Sequence, residues 1–443
     1  MAHRGPRACL NCLIVLQRTS GHVHFDNDYF PQRKSGMTQH VVFAAPFFMD
    51  ATLRFIRGAS QLEDIRLSIV SQDPAGKLPD DIRARVAAHW RIDDALDPRQ
   101  LVDAVRKLEG QLGKATKLIA TLEQLQVPLA AARESLGIPG LSVEAALNFR
   151  DKSRMKNVLR QVNLPCARHA LVGDRQSAQA FAAEAGFPLV VKPPAGAGGK
   201  STFRLDSAAD LSRFLDRYPP STGHPALYEE FVHGSEYSFD SVVIDGKPVW
   251  YSISRYMPSP LAVLENAWIQ WCVMLPRDIS GSEFDPIRQA AFAGVHALGL
   301  RTGLSHMEWF RLQDGRIAIS EVGARPPGAQ FMSLLSYAHD IDFYRAWAYL
   351  MVFASFTPPP RRFAVGAAYI RGQGSGRVRH IHGLDEAQRR FGALVVEAKL
   401  PQEGQPPSDS YEGDGYIIVR HPETGVVENA LEEIVKIIRV ELA

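Results

Sequence analysis

Cysteine is scarce in this chain, with four among 443 residues. Four cysteines cannot build a disulfide framework at this length, so the expected compartment is a reducing, cytoplasmic one. An excess of charge of one sign is also missing, since 50 basic side chains face 48 acidic ones. A polyanion or an acidic bilayer would find no basic stripe to grip, which excludes nucleic acid and membrane as expected partners. The longest apolar run, Ala346–Phe356, is about half of the roughly 20 residues a spanning helix needs. No G-x-G-x-x-G turn follows the first apolar strand, where a dinucleotide fold carries one. Ala45-Pro46-Phe47-Phe48 stands there instead, so the first domain is not expected to hold NAD.

What is present is enough apolar material, 46% of the chain, for more than one core, because single cores stop growing at roughly 250–300 residues. Two to four packed units are expected. Residues 1–36 differ from the rest. Cys9-x-x-Cys12 and His22-x-His24 invite a zinc reading, but the pairing lacks finger spacing. The apolar run Leu10–Leu16 is interrupted, and no small-residue cleavage site follows it. The segment is read as an unstructured extension, with Met37 a plausible start.

From Met37 onward, strand-like and helix-like patterns alternate. Val41–Ala45, Leu67–Val70 and Leu118–Leu122 read as strands; the stretch around Leu53, Ile56 and Arg57, then Arg99–Leu108 and Gln124–Leu136, read as helices. Such alternation predicts a parallel α/β sheet. Gly137–Gly140 reads as a link, and Pro358–Pro360 as a second boundary. Strand-rich sequence follows at Ala364–Ile370, Leu394–Lys399 and Gly415–Val419, with a final helix over Ala430–Val440. The expected fold class is α/β, divided at 37–150, 151–360 and 361–443.

Three stretches carry chemistry. Phe187–Thr202 reads as a strand, a glycine-rich loop and a return strand, with Lys192 ending an apolar strand. Gly198, Gly199, Lys200 and Ser201 could bring backbone N–H groups and a lysine to phosphate oxygens. A mobile surface hairpin is the bland alternative, but a lysine on an apolar strand is costly without an anion. Next, Glu229, Glu230 and Val232 precede Glu236 and an alternating strand. Backbone groups there could read an adenine edge and a carboxylate could take ribose hydroxyls, although acidic strand entries are usually solvated. Finally, Ser305–Leu312 and Ile317–Glu321 flank Asp314-Gly315, a strong hairpin signal. A two-residue turn at Asp314-Gly315 places Glu308 opposite Glu321, on one face with Phe310, Leu312, Ile317 and Ile319. Opposed carboxylates are unfavourable unless a cation such as Mg²⁺ lies between them. One shared proton, or another register, would also relieve the conflict. His306 falls on the same side.

Taken in order, these stretches resemble the ATP-grasp superfamily, including biotin carboxylase, D-alanine–D-alanine ligase, L-amino-acid ligases and carnosine synthases. The resemblance runs from Met37 to the C-terminal region and implies a pre-ATP-grasp domain, an ATP-grasp domain of two subdomains and a strand-rich C-terminal part. It implies that Lys152 and Lys192 contact the phosphates of ATP, and that Glu229 and Glu236 serve adenine and ribose. It further implies that Glu230 and Val232 offer their backbones to adenine, and that Glu308 and Glu321 bind Mg²⁺ or Mn²⁺. Arg325, in Glu321-Val-Gly-Ala-Arg325-Pro-Pro-Gly, matches an arginine that steadies the reacting carboxylate. One departure stands out: Gly323 occupies a position where many relatives carry a metal-binding asparagine, which puts a second metal ion in doubt.

The resemblance implies a carboxylate–amine ligase that passes through an acyl phosphate, with small-molecule carboxylate and amine as partners and a homodimer as an acceptable assembly. The glycine loop would shield the acyl phosphate from water. His306 is a candidate base for the amine, against the plainer reading of a structural histidine. Arg255–Trp271, with Tyr256, Glu265 and Trp268, either lines an acceptor pocket or packs against the ATP subdomain. Glu123 is a lesser candidate contact. Two rivals stay open: a biotin-carboxylase-like enzyme acting on bicarbonate, and a nucleotide-binding protein without turnover.

Overall fold

The computed structural model describes residues 38–196, 201–266, 269–408 and 410–443. Residues 1–36, with their Cys and His pairs, lie outside the described residues, as do Gly198, Gly199, Lys200 and Trp268. The fold class is α/β, as the alternating patterns predict. Among the described residues no helix is long and apolar enough to cross a membrane.

Strands β1 (Gln39–Ala44), β2 (Ile65–Ser71), β3 (Ala88–Arg91) and β4 (Ala115–Ile119) form a parallel sheet in the order β3-β2-β1-β4. The unbroken apolar run of β1 follows from burial on both faces. Val41 and Phe43 enter one core, while Val42 and Ala44 enter another. β4 ends at Ile119, earlier than its apolar run suggests, because the chain turns into a short 3₁₀ segment at Glu123–Leu125.

A second, antiparallel sheet comprises β5 (His169–Val172), β6 (Leu189–Lys192), β7 (Phe203–Leu205) and β8 (Ala226–Glu230), in the order β5-β8-β6-β7. Helices Arg175–Ala185 and Ala208–Arg217 bury Phe181, Leu211 and Leu215 against Leu189, Val191 and Tyr228.

The largest sheet uses β9 (Gly234–Ile244), β10 (Lys247–Met257), β11 (Trp271–Leu275), β12 (Gly303–Leu312), β13 (Ile317–Gly323) and β14 (Ala364–Ile370). After β15 (Gly372–Gly374) and β16 (Val378–His382), it is completed by β17 (Val395–Lys399) and β18 (Gly415–His421). Its order is β13-β12-β9-β10-β11-β14-β18-β17. β14 pairs with β11 along Trp271–Leu275, so strands on either side of Pro358–Pro360 share one sheet. The last helix spans Thr424–Ile437, and Val440 lies not in it but in β19 (Arg439–Leu442), which bridges β15 and β16. Isoleucine and valine near the end of an apolar helix fit either element, and the pairing with β16 decides.

Helix Asp50–Ser60 packs on helix Phe343–Phe353 and closes the side of the large core. The contact depends on Gly58. A Cβ there would lie 2.7 Å from the backbone nitrogen of Arg345 and 2.8 Å from the carbonyl carbon of Tyr344. Backbone cannot rotate away as a side chain can. Gly58→Ala is therefore expected to destabilise the fold by about 1–3 kcal/mol despite its better helix propensity, read by chemical denaturation.

Candidate active site

The three sheets converge on a cavity of about 610 Å³. Its polar floor is one face of the largest sheet. On β9 the side chains alternate: Tyr237 and Phe239 pack into a core with Met307, Trp309 and Ile319, while Glu236, Ser238 and Asp240 take the other face. The register sets Phe310 opposite Glu236, Glu308 opposite Ser238 and His306 opposite Asp240. Ser238 and Ser254 share a buried hydroxyl hydrogen bond of 2.5 Å, and Glu236, His306, Glu308 and Phe310 line the cavity.

Glu308 does stand opposite Glu321, but by a different route from the two-residue turn. Leu312 N donates to Arg316 O at 2.8 Å and Gly315 has φ +83°, so the loop is the three residues Gln313–Gly315. That shifts the pairing by one: Arg311 faces Ile317 and Trp309 faces Ile319. A bulge at Ser320 then restores the match of Glu308 with Glu321. The consequence corrects the predicted face. Ile317 and Ile319 pack with Trp309 in the core behind the sheet, Ile319 also touching the cavity, whereas Glu308, Phe310, Ser320 and Glu321 line the cavity.

Three lysines stand over these carboxylates. Asp151 caps helix Lys152–Gln161 by accepting from Ser153 N and Arg154 N. That start places Lys152 in the cavity wall. Its Nζ lies 2.9 Å from Glu321 Oε1 and donates to Gly196 O at 2.8 Å. One turn on, Lys156 is fully buried, with Nζ 3.3 Å from Glu229 Oε1. Lys192, at the end of β6, reaches Glu229 Oε2 at 3.1 Å. Glu229 is thus clamped between two lysines. Burial alone would raise its carboxyl, but Lys156 and Lys192 together hold it below the ordinary 4.5. Lys156 escaped the sequence reading, although its spacing of four from Lys152 puts both on one helical face.

Glu236 is in the opposite condition. Burial, then the charges of Glu308 and Glu321, push its carboxyl well above the usual range, against the pull of Lys192. A divalent cation relieves this repulsion, so the donor set fits Mg²⁺. Among the described residues no three His, Cys, Asp or Glu side chains form a closed protein cage, and Mg²⁺ ordinarily keeps waters and phosphates as ligands.

His306 Nδ1 lies 2.7 Å from Asp240 Oδ1, and Nε2 lies 3.8 Å from Glu308 Oε1. Burial works against its charge, but Asp240 and Glu308 prevail and raise it to about 9. At neutral pH this imidazole already carries its second proton, so it is poorly placed to accept one from an amine. Arg325 forms an ion pair through Nε with Glu123, and its Nη1 donates to Pro326 O at 2.9 Å. Burial lowers its affinity for protons, while Glu123, Glu321 and Glu308 more than compensate. A Cβ at Gly323 would meet Arg325 Cγ at 3.5 Å and Glu123 Oε2 at 3.6 Å, ordinary contact distances, so local space does not by itself demand glycine there.

Other predicted residues divide. Glu230 and Val232 line the cavity, but the Glu230 carboxylate is taken by Arg168, accepting from its backbone N at 2.8 Å and Nε at 2.6 Å. Ser201 is exposed and is not part of the wall, whereas Gly196 and Thr202 are. Tyr256 and Trp271 line the cavity; Glu265 is exposed and does not. Tyr411 and Glu412 join from the loop before β18, a contribution that no local pattern announces.

The clamp on Glu229 yields a prediction. A carboxyl held below 4.5 contributes stability that is present above that pH and lost as pH falls through its lowered folded value. Glu229→Gln leaves Lys156 buried without its anion, at an expected cost of roughly 3–5 kcal/mol at neutral pH. The gap to wild type is expected to narrow in acid; denaturation at neutral and acidic pH measures both.

Comparison with known proteins follows the same geometry. Residues 157–336 match the family model of the ATP-grasp domain. The L-arginine-specific L-amino acid ligase of Bacillus subtilis is 24% identical over 340 residues, 72% of this chain and 79% of that protein. A carbamoyl phosphate synthase large chain of Mycobacterium sp. (strain JLS) is 26% identical over 253 residues, 56% of this chain but only 22% of its own length. The crystal structure of an L-amino acid ligase from Bacillus licheniformis superposes with a TM-score of 0.72 at 20% identity, covering 92% of this chain and all of that one, which shows a shared fold. With its carboxylate floor and its lysines lying in or beside that matched stretch, the chain carries an ATP-grasp domain over residues 157–336.

Proposed function

We propose that this protein joins a small carboxylic acid to an amine through an acyl phosphate, releasing ADP and phosphate. The observation that carries the reading is the convergence of Lys152, Lys192, Glu236, Glu308, Glu321 and Arg325 on one cavity. ATP supplies the phosphoryl group, and Mg²⁺ offsets charge as it moves from the γ- to the β-phosphate. The residues divide the remaining work. Lys152 and Lys192 offset phosphate charge, while Glu308 and Glu321 hold the cation. Protonated His306, fixed by Asp240, orients Glu308. Gly323 leaves this metal pair without the extra side-chain ligand many relatives carry.

Arg325 holds the reacting carboxylate. Its Nε and Nη1 are engaged, and Nη2 has no hydrogen-bond partner among the described residues. Glu123 thereby sets the direction in which the guanidinium points. Beside His306 and Glu308 the cavity wall is largely apolar, with Tyr256, Leu261, Leu264, Trp271 and Phe331. Such walls suit an organic acid better than bicarbonate, and they keep water from an acyl phosphate. The similarity to L-amino acid ligases supports an amino acid as the acid or the amine.

The test is product analysis with a panel of amino acids. ADP and inorganic phosphate are expected in equal amounts and only with Mg²⁺, and hydroxylamine is expected to trap a hydroxamate. Glu308→Gln and Glu321→Gln are expected to lower turnover at least 100-fold while remaining folded. AMP and pyrophosphate as products would overturn the proposal. ADP formation with bicarbonate, and no hydroxamate from any amino acid, would favour the carboxylase reading.

A further inference from the structure

A second cavity, of about 310 Å³, lies where the edge strand β4 meets helix Gln126–Leu136, helix Phe343–Phe353 and the start of β12. Its walls are apolar in part, with Leu129, Leu304, Trp347 and Met351. Its polar part is cationic. Arg133 is 7% exposed and lines it beside Lys117, with Arg301 at the solvent side. Asp245 is the one carboxylate among the described lining residues, and it is exposed at the same side.

Arg133 is unusual for a buried arginine. Its Nε donates to Leu118 O at 2.7 Å, and its side chain lies across Gly140, where a Cβ would come within 2.7 Å of its Cδ. Among the described residues no carboxylate pairs with it, and neither terminal nitrogen has a hydrogen-bond partner. A guanidinium so placed is costly to bury unless an anion completes it. Burial alone pulls it down to about 10. Lys117 is lowered by burial and further by the charge of Arg133. Two mutually repelling cations thus share one recess that has apolar walls.

We propose that this second cavity binds a small organic carboxylate, its anionic head gripped by Arg133 and Lys117 and its apolar body against Leu129, Trp347 and Met351. With Nε committed to Leu118, the two terminal nitrogens of Arg133 form a planar fork that matches a carboxylate end-on. The volume suits a molecule of a few carbon atoms, at the lower end of ordinary small-ligand pockets. Arg325 and Pro326 line both cavities, whereas Lys117 and Arg133 line only this one.

The experiment is titration of the nucleotide-free, full-length protein with isovalerate, followed by thermal shift and calorimetry, with isovaleramide and inorganic phosphate in parallel. Isovalerate is expected to raise Tm saturably, and isovaleramide is not. Lys117→Gln, at a half-buried position where little is at risk in folding, is expected to weaken binding about tenfold, the value of one charged hydrogen bond. Arg133→Gln is expected to abolish the response; if that variant does not fold, Lys117→Gln decides alone. A response undiminished in Lys117→Gln belongs to the other cavity and overturns the proposal. So does the absence of any saturable response in wild type. A response to phosphate but not to isovalerate overturns the assigned ligand class. None of these measurements needs ATP or turnover, so the result is independent of the ligase reaction.

Discussion

The clamp of Lys156 and Lys192 on Glu229 is the constraint from which the candidate site is built. It joins helix Lys152–Gln161 to two strands of the small antiparallel sheet, and each partner is buried so deeply that none can be removed alone. The same helix carries Lys152 to Glu321 on the largest sheet. Two sheets that share no strand are thereby held in register by charge. Such pairs are weak contributors to stability when compared with packed apolar groups. Their directionality is what matters here, because it fixes where positive and negative charge face the cavity.

On the opposite wall, Arg325 depends on a carboxylate from the parallel sheet's region, Glu123. The group proposed to hold the substrate is therefore aimed by a part of the chain some 200 residues away in sequence.

The order of strands and helices was legible because short apolar runs and amphipathic stretches are local properties. The run in β1, for instance, has no polar residue to alternate with since both its faces are covered. Lys192 and the glutamate pair were legible for a related reason: charge on an apolar strand demands an explanation. Lys156 was not, since a lysine on a helix is ordinarily solvated, and only Glu229, brought in from β8, makes its burial tolerable. The protonation of His306 was equally hidden, because it is Asp240, on a neighbouring strand, that holds the proton. The merging of β14, β17 and β18 into the largest sheet is invisible to any local pattern.

The hairpin of β12 and β13 carries a constraint on how this sequence can change. The three-residue loop at Gln313–Gly315 and the bulge at Ser320 each displace the register by one, in opposite senses. Lengthening or shortening the loop by one residue would swap the faces of the strand beyond it, sending Glu321 into the core and Ile319 toward the cavity. Only a second event that adds or removes the bulge would bring the carboxylate back. Loop length and bulge are therefore a linked pair of characters, and sequences that inherit this hairpin can drift in one only by changing the other.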